Sequence, residues 1–330
     1  MKKNSIIVTG SAGFIGFHVA EKLLMEGHTV VGIDNFNNYY HTSIKDARSE
    51  ILRRNPNYVE KRLDIANLEE LKKVFSEYRA DVVCHLAAQA GVRYSLTNPH
   101  AYEHSNVLAY LNILEMVRHN NIPRLVYASS SSVYGGNTKI PFSESDRVDN
   151  PISLYAASKK ANELMAHCYT HLYGFQTIGH RFFTVYGPWG RPDMAMWLFV
   201  EAIKAGKKIK VFNFGNMKRD FTYIEDIVHG ICSSMFASNL DKYEIFNLGN
   251  NRSEKLMDMI EIIEEHMGIK AEKEMLPMQP GDVPESFADI EKARRKLGFE
   301  PSTPISKGIP AFIDWYNKHS DLAGLVAKSR

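Results

Sequence analysis

The sequence predicts an α/β protein: a doubly wound parallel sheet followed by a smaller C-terminal lobe. Three observations carry this. Short β-branched runs alternate with amphipathic stretches through the first 187 residues, the pattern of strand–helix–strand crossovers. The runs are almost continuously apolar, as strands buried on both faces are. After residue 187 the alternation gives way to turn-rich chain, beginning with Gly187-Pro-Trp-Gly-Arg-Pro192.

In order, strands are expected at 5–10 and 29–34, flanking an amphipathic helix from Phe14 to Met25. A strand at 58–64 and a helix at 67–78 precede the apolar strand 81–88. The stretch 102–120 reads as a long helix, 124–131 as a strand, 154–173 as a helix and 176–187 as a strand. Beyond these come a strand near 243–250 and helices near 255–267, 289–298 and 308–318. Residues 1–187 are expected to form the nucleotide-binding domain, with 220–250 returning to it. Residues 188–219 and 251–330 are expected to form a substrate lobe.

Composition narrows the class. The chain has 330 residues, is 44% apolar and 24% charged, and carries a formal charge of +2. That gives no basic field for nucleic acid. No apolar run is long enough to span a bilayer, and the first apolar stretch ends at once in Thr9-Gly10, which suits a strand better than a signal peptide. Cys84, Cys168 and Cys232 are scattered and odd in number, so neither a disulfide framework nor a metal site is expected. A cytoplasmic setting fits.

Gly10, Gly13 and Gly16 stand directly after the first strand, where glycine lets the backbone turn tightly and approach a pyrophosphate. The spacing is GxxGxxG rather than GxGxxG. Asp34 ends the second strand 18 positions after Gly16, close to the ~20 expected of a carboxylate that holds a ribose 2′-hydroxyl. Asn35 follows it rather than an arginine, so NAD is favoured over NADP. Asp64, ending the third strand, is a candidate for the adenine pocket. The arrangement predicts a Rossmann-type domain.

Tyr155 and Lys159, four apart, share one face of the 154–173 helix. A free phenol titrates near ~10, so its use as a base near neutrality needs a nearby cation. Lys159 and a bound nicotinamide would supply that charge.

Taken together, the three glycines, Asp34, His85-Leu-Ala-Ala88, Asn106, "SSSSVYG" at 129–135, Tyr155-x-x-x-Lys159 and "RFFTVYG" at 181–187 resemble, in content and order, the extended short-chain dehydrogenase/reductase family. That family includes nucleotide-sugar epimerases and dehydratases. The resemblance implies NAD held by Gly10, Gly13, Phe14, Ile15, Gly16, Asp34, Asn35, Asp64, Ile65, Leu86, Ala87, Ala88 and Asn106, with Tyr155 and Lys159 beside its nicotinamide. It implies that Ser130 works with Tyr155 on the sugar O4, and that the helices near 100–119 and 154–173 pair two copies into a homodimer. Where the family's 4,6-dehydratases carry Asp-Glu, this chain has Ser131-Ser132, which cannot readily supply that acid and base. What remains is oxidation at C4 and re-reduction on the opposite face.

Two stretches, "AGVRYS" at 90–95 and "RFFTVYGPWGRPDMA" at 181–195, resemble the UDP-glucuronate 4-epimerases within the family. Hydroxyls of Ser131, Ser132 and Thr184 suit a sugar carboxylate. Arg93, Arg191 and Arg219 suit a diphosphate, and Asp282 resembles a position near the uridine ribose. The alternatives are a UDP-glucose or UDP-N-acetylglucosamine 4-epimerase and, further off, a UDP-glucuronate decarboxylase. The family's decarboxylases carry a Thr and an acidic residue where this chain has Ser130 and Ser132. His85 and Ser129 read as structural, Trp189 and Trp197 as packing of the second lobe, and the His100–His104 pair as unrelated to metal.

Overall fold

The computed structural model describes residues 3–279 and 281–328. Its centre is a seven-stranded sheet in which every paired neighbour is parallel. Strands β1 (Ser5–Thr9), β2 (Thr29–Asp34), β3 (Tyr58–Arg62), β4 (Val82–His85), β5 (Arg124–Ser130) and β6 (Gln176–Phe182) are joined by a seventh, Tyr243–Leu248. The spatial order is seventh, β6, β5, β4, β1, β2, β3. The winding reverses between β1 and β4, which leaves a crevice at the strand C-termini.

Side chains alternate across this sheet into two cores. Ile6 and Val8 join the core under helix α1 (Phe14–Met25) and helix Ile224–Phe236. Ile7, Val31 and Ile33 join the core under helices Ala109–His119 and Leu154–Tyr173. The 154–173 helix starts where the Ser153 hydroxyl accepts the Ala156 N–H at 3.1 Å, and stops at Gly174 with φ +78, a left-handed cap that glycine adopts without strain.

The expected strand 176–187 breaks at Phe183. Thr184–Tyr186 leaves the main sheet and pairs with Phe221–Tyr223, so within 220–250 it is Tyr243–Leu248 that extends the main sheet. The expected helix 102–120 begins with a π-helical turn, Glu103–Leu108, a feature often found at functional sites. Helix α2 (Ser43–Arg53) and helix Ala195–Lys204 occupy stretches for which the sequence reading offered no element. In the second lobe, a three-stranded sheet places Lys218–Arg219 between Glu254–Lys255 and Glu285–Ser286. Ile209–Phe212 pairs with Lys273–Leu276 beside it.

Candidate active site

A cleft of about 890 Å³ runs along the strand C-termini between the sheet and the second lobe. One end is built by the glycine turn. Gly10 has φ +72 and donates to Ile33 O at 2.7 Å. A Cβ on Gly16 would stand 2.0 Å from Gly10 O, and one on Gly10 would stand 2.8 Å from Ala87 N. The turn therefore packs as closely as backbone can. Gly13 is the N-cap of α1 and offers no side-chain partner, so the first N–H groups of the helix are left for a ligand. Phe14 and Ile15 line the same end of the cleft.

Asp34 lines this end too. Its carboxylate accepts the Ala12 N–H at 3.1 Å and the Phe36 N–H at 2.8 Å. Lys45, on α2, sits 3.8 Å from the same carboxylate, a cation the sequence reading did not anticipate. Asn35 donates to Asp64 at 3.2 Å, and His104 meets the same oxygen at 3.1 Å. These contacts and the Ala66 N–H outweigh the effect of burial and hold the Asp64 carboxyl below its ordinary range. Ile65 lies beside it in the cleft wall. His104 thus serves a carboxylate. Arg48, fully buried, was also unforeseen: it donates to Ala12 O at 2.8 Å and Trp189 O at 2.5 Å. It ties the glycine turn to the Gly187–Pro192 segment.

Leu86, Ala87 and Ala88 form the opposite wall. Thr9 positions them, accepting the Ala87 N–H at 3.2 Å and pairing with His85 Nδ1 at 2.8 Å. Burial pulls His85 down to about 3, so it is a neutral structural group. Asn106 belongs to the cofactor contacts implied by the resemblance, yet it stands behind this wall rather than in it. It exchanges two hydrogen bonds with the Gln89 backbone, at 2.8 and 3.0 Å, and donates to Ser158 at 3.0 Å. Its place in the π-helical turn aims it at that backbone.

At the centre, β5 delivers Ser130 and the 154–173 helix delivers Tyr155 and Lys159. Ser130 and Tyr155 both line the cleft here, and the Ser130 hydroxyl acts to lower the phenol's pKa. The Lys159 ammonium donates to Ala128 O at 2.9 Å, and burial lowers it to about 8. From the sequence, Lys159 and a bound nicotinamide together are expected to favour the phenolate. In the protein alone burial raises Tyr155, opposed by the Ser130 hydroxyl and the Arg191 charge. Lys159 spends one of its three donors on a carbonyl. Tyr102 packs edge-on against Tyr155, with centroids 6.0 Å apart. Its hydroxyl donates to Ala90 O and Gly91 O.

Ser129 is structural, as expected. Ser129 donates to Glu163 at 2.7 Å, within a buried network in which Arg181 forks onto both Glu163 oxygens at 2.8 and 2.9 Å. Ser130 Oγ accepts the Ser132 N–H at 3.2 Å, starting the short helix Ser131–Tyr134. Ser131, Ser132 and Thr184 line the cleft.

Arg191, whose charge reaches Tyr155, forks onto Asp193 at 3.0 and 2.5 Å. Arg219 also lines the cleft and donates to Lys218 O and Pro284 O at 2.9 and 3.3 Å. Arg93 and Asp282, expected as separate substrate contacts, pair with each other across the mouth at 3.3 Å. Trp189 and Trp197 pack against Trp315 in the second lobe, with their rings tilted by 54° and 58° to it. Among the described residues no helix is long and apolar enough to cross a membrane.

This cleft defines a nucleotide-binding enzyme of the hydride-transfer type, and the sequence comparison agrees. The profile of the NAD dependent epimerase/dehydratase family matches residues 6–249, and the chain belongs to that family. It is 46% identical over 328 residues to UDP-glucuronate 4-epimerase 2 of Arabidopsis thaliana, covering 94% of this chain and 75% of that one. It superposes with a TM-score of 0.90 on the UDP-glucuronic acid 4-epimerase of Bacillus cereus in complex with UDP-glucuronic acid and NAD, at 33% identity, covering 95% and 99% of the two chains. The UDP-glucose 4-epimerase of Thermotoga maritima with UDP-glucose is similar at a TM-score of 0.87 and 29% identity, covering 95% and 99%.

Proposed function

We propose that the protein is an NAD-dependent 4-epimerase that interconverts UDP-glucuronate and UDP-galacturonate. The observation that carries this is the gathering of Ser130, Tyr155 and Lys159 in one cleft, followed by two hydroxyls at 131 and 132 where a dehydratase needs an acid and a base. The cradle suits NAD: the close approach at Gly10 and Gly16 and the unspent N–H groups of α1 fit a pyrophosphate, and Asp34 at the rim fits a ribose hydroxyl. Bound there, NAD+ supplies reversible hydride acceptance at C4 of the sugar.

The chain's own groups do the rest. Ser130 holds the sugar O4 and Tyr155 takes its proton, returning it after the 4-keto sugar has turned over about its phosphate linkage. The phenol's raised pKa keeps it protonated at rest, so it acts as a base only beside cationic charge, which Lys159 and bound NAD+ would supply. Arg191 and Arg219 meet the diphosphate, and Arg93 and Asp282 open their pair to admit the nucleotide. Ser131, Ser132 and Thr184 donate to the C6 carboxylate. That grip has a chemical purpose. The 4-keto intermediate is a β-keto acid, and it loses CO2 when the C5–carboxylate bond aligns with the carbonyl π system. Fixing the carboxylate in the other orientation preserves it.

Leu108, Leu111, Leu164 and Leu172 are 38–60% exposed on the helices around 103–119 and 154–173, and they support pairing of two copies through these faces. A cytoplasmic setting fits the unpaired cysteines.

Incubating the purified protein with UDP-glucuronate and separating the products tests the reading. UDP-galacturonate supports it, a UDP-pentose with CO2 points to decarboxylation, and turnover of UDP-glucose alone points to a neutral-sugar enzyme. Ser131→Ala combined with Ser132→Ala should slow epimerisation at least ~10-fold and raise CO2 release, given about 1.5–3 kcal/mol per hydrogen bond to a charged group. If both rates stayed unchanged, the carboxylate site would be misplaced.

A further inference from the structure

A carboxylate at the end of β2 excludes a 2′-phosphate by charge, but here the carboxylate does not stand alone. Lys45 is 5% exposed and lines the same end of the cleft as Asp34. Its ammonium is 3.0 Å from Asn37 Oδ1, 3.8 Å from Asp34 Oδ1 and 5.2 Å from the Tyr40 ring centroid. An ammonium carries three donors, and of these contacts Asn37 alone is within hydrogen-bond distance. The Asp34 carboxylate is anchored independently by the Ala12 and Phe36 N–H groups, so it does not depend on Lys45 for its position.

The other charges nearby are committed. Arg48 gives both terminal nitrogens to Ala12 O, the Tyr40 hydroxyl and Trp189 O, and only its buried Nε is left without a partner. Arg62 lies 3.8 Å over the Phe36 ring and pairs with Glu60 and Asp46. Asp64 is held by Asn35 and His104. The rim therefore presents one anion, Asp34, backed by one buried cation with donors to spare.

We propose that Lys45 is a cofactor-selectivity residue: a buried cation, masked by Asp34, that binds a ribose 2′-phosphate once that carboxylate is neutralised. The inference rests on the reading of this cleft as a dinucleotide site. Selectivity for NAD is then held by one side chain over a pocket that already contains the counter-charge for a phosphate monoester. A buried ammonium that loses its anion is left uncompensated, and a phosphate dianion at the same place restores the balance.

The test measures dissociation constants of NADH and NADPH for the full-length protein stripped of bound nucleotide, by energy transfer from tryptophan to the dihydronicotinamide. Wild type should prefer NADH. Asp34→Asn should narrow the preference at least ~10-fold, chiefly by tightening NADPH, and adding Lys45→Met should remove that gain, since a charge contact near 4 Å is worth more than one tenfold step in a half-dry site. Lys45→Met with Asp34 intact should widen the preference, because Asp34 is then unmasked. This variant keeps both N–H contacts to Asp34 and reads independently if Asp34→Asn folds poorly. NADPH affinity equal with and without Lys45 in either background would overturn the proposal. A wild type that bound neither dinucleotide would overturn the dinucleotide reading with it.

Discussion

Burial and use oppose each other at Lys159. The side chain is 2% exposed, yet its one hydrogen bond to protein goes to a carbonyl, Ala128 O, so burial depresses the ammonium from 10.5 to about 8. The unfolded chain binds this proton more tightly than the folded one. The penalty is therefore present in full below about pH 8 and relieved as pH rises through the window from 8 to 10.5. Lys159→Met should raise the stability of the nucleotide-free protein by about 1–3 kcal/mol at pH 7 while nearly abolishing turnover. Denaturant unfolding at pH 7 and pH 10 checks both sign and window: the gain should shrink at the higher pH. The sequence shows that Tyr155 and Lys159 share a helix face. It does not show which acceptor the ammonium takes, because that acceptor comes from β5, 31 residues away.

The elements that carry the site were legible in unequal measure. The strand–helix alternation of 5–182 predicts the sheet because burial on both faces writes itself as apolar runs, and the 154–173 helix has the same limits in the structure. Helix α2 was illegible for the opposite reason. It is rich in charge, and it buries Lys45 and Arg48 at 5% and 0% exposure, against the rule that charges face water. Those residues serve Asp34 and the glycine turn, so what hid the helix is what makes it functional. Arg93 and Asp282 each suggest a substrate contact in sequence, while their mutual pairing depends on two loops 189 residues apart. The catalytic helix is fastened to β5 and β6 by Ser129, Glu163 and Arg181. Glu163→Ala strips a buried guanidinium of its forked partner and should cost about 3–5 kcal/mol, read as a loss in urea midpoint. Because the helix carries Tyr155, kcat should fall even at temperatures where the variant stays folded. Unchanged stability would mean that the network does not fasten the helix.

For the whole molecule, pH tolerance follows from histidines buried neutral in different layers. His18 is lowered to about 4, and His85 and His180 to about 3, all chiefly by burial. Between 6.5 and those values the unfolded chain takes up protons that the folded chain refuses, so stability is present above 6.5 and drains away as pH falls. Each group contributes a slope of up to about 1.4 kcal/mol per pH unit within its window. Thermal unfolding scanned from pH 7 to 4 should show a steep fall in midpoint, and His180→Gln should flatten it. His180 is chosen because it lies away from the cleft, against Ser234. A midpoint indifferent to pH down to 4 would contradict these assignments.

The two-core sheet, the dinucleotide cradle and the Ser130–Tyr155–Lys159 centre converge on a single chemical claim: the hydrogen at C4 leaves the sugar as hydride and the same one comes back. UDP-glucuronate deuterated at C4, incubated with the holoenzyme in ordinary water and followed by NMR, tests this most directly. UDP-galacturonate that keeps its deuterium at C4, with Tyr155→Phe forming almost none of it, is the predicted result. Deuterium lost to solvent, or a product with C4 unchanged in configuration, would contradict the account.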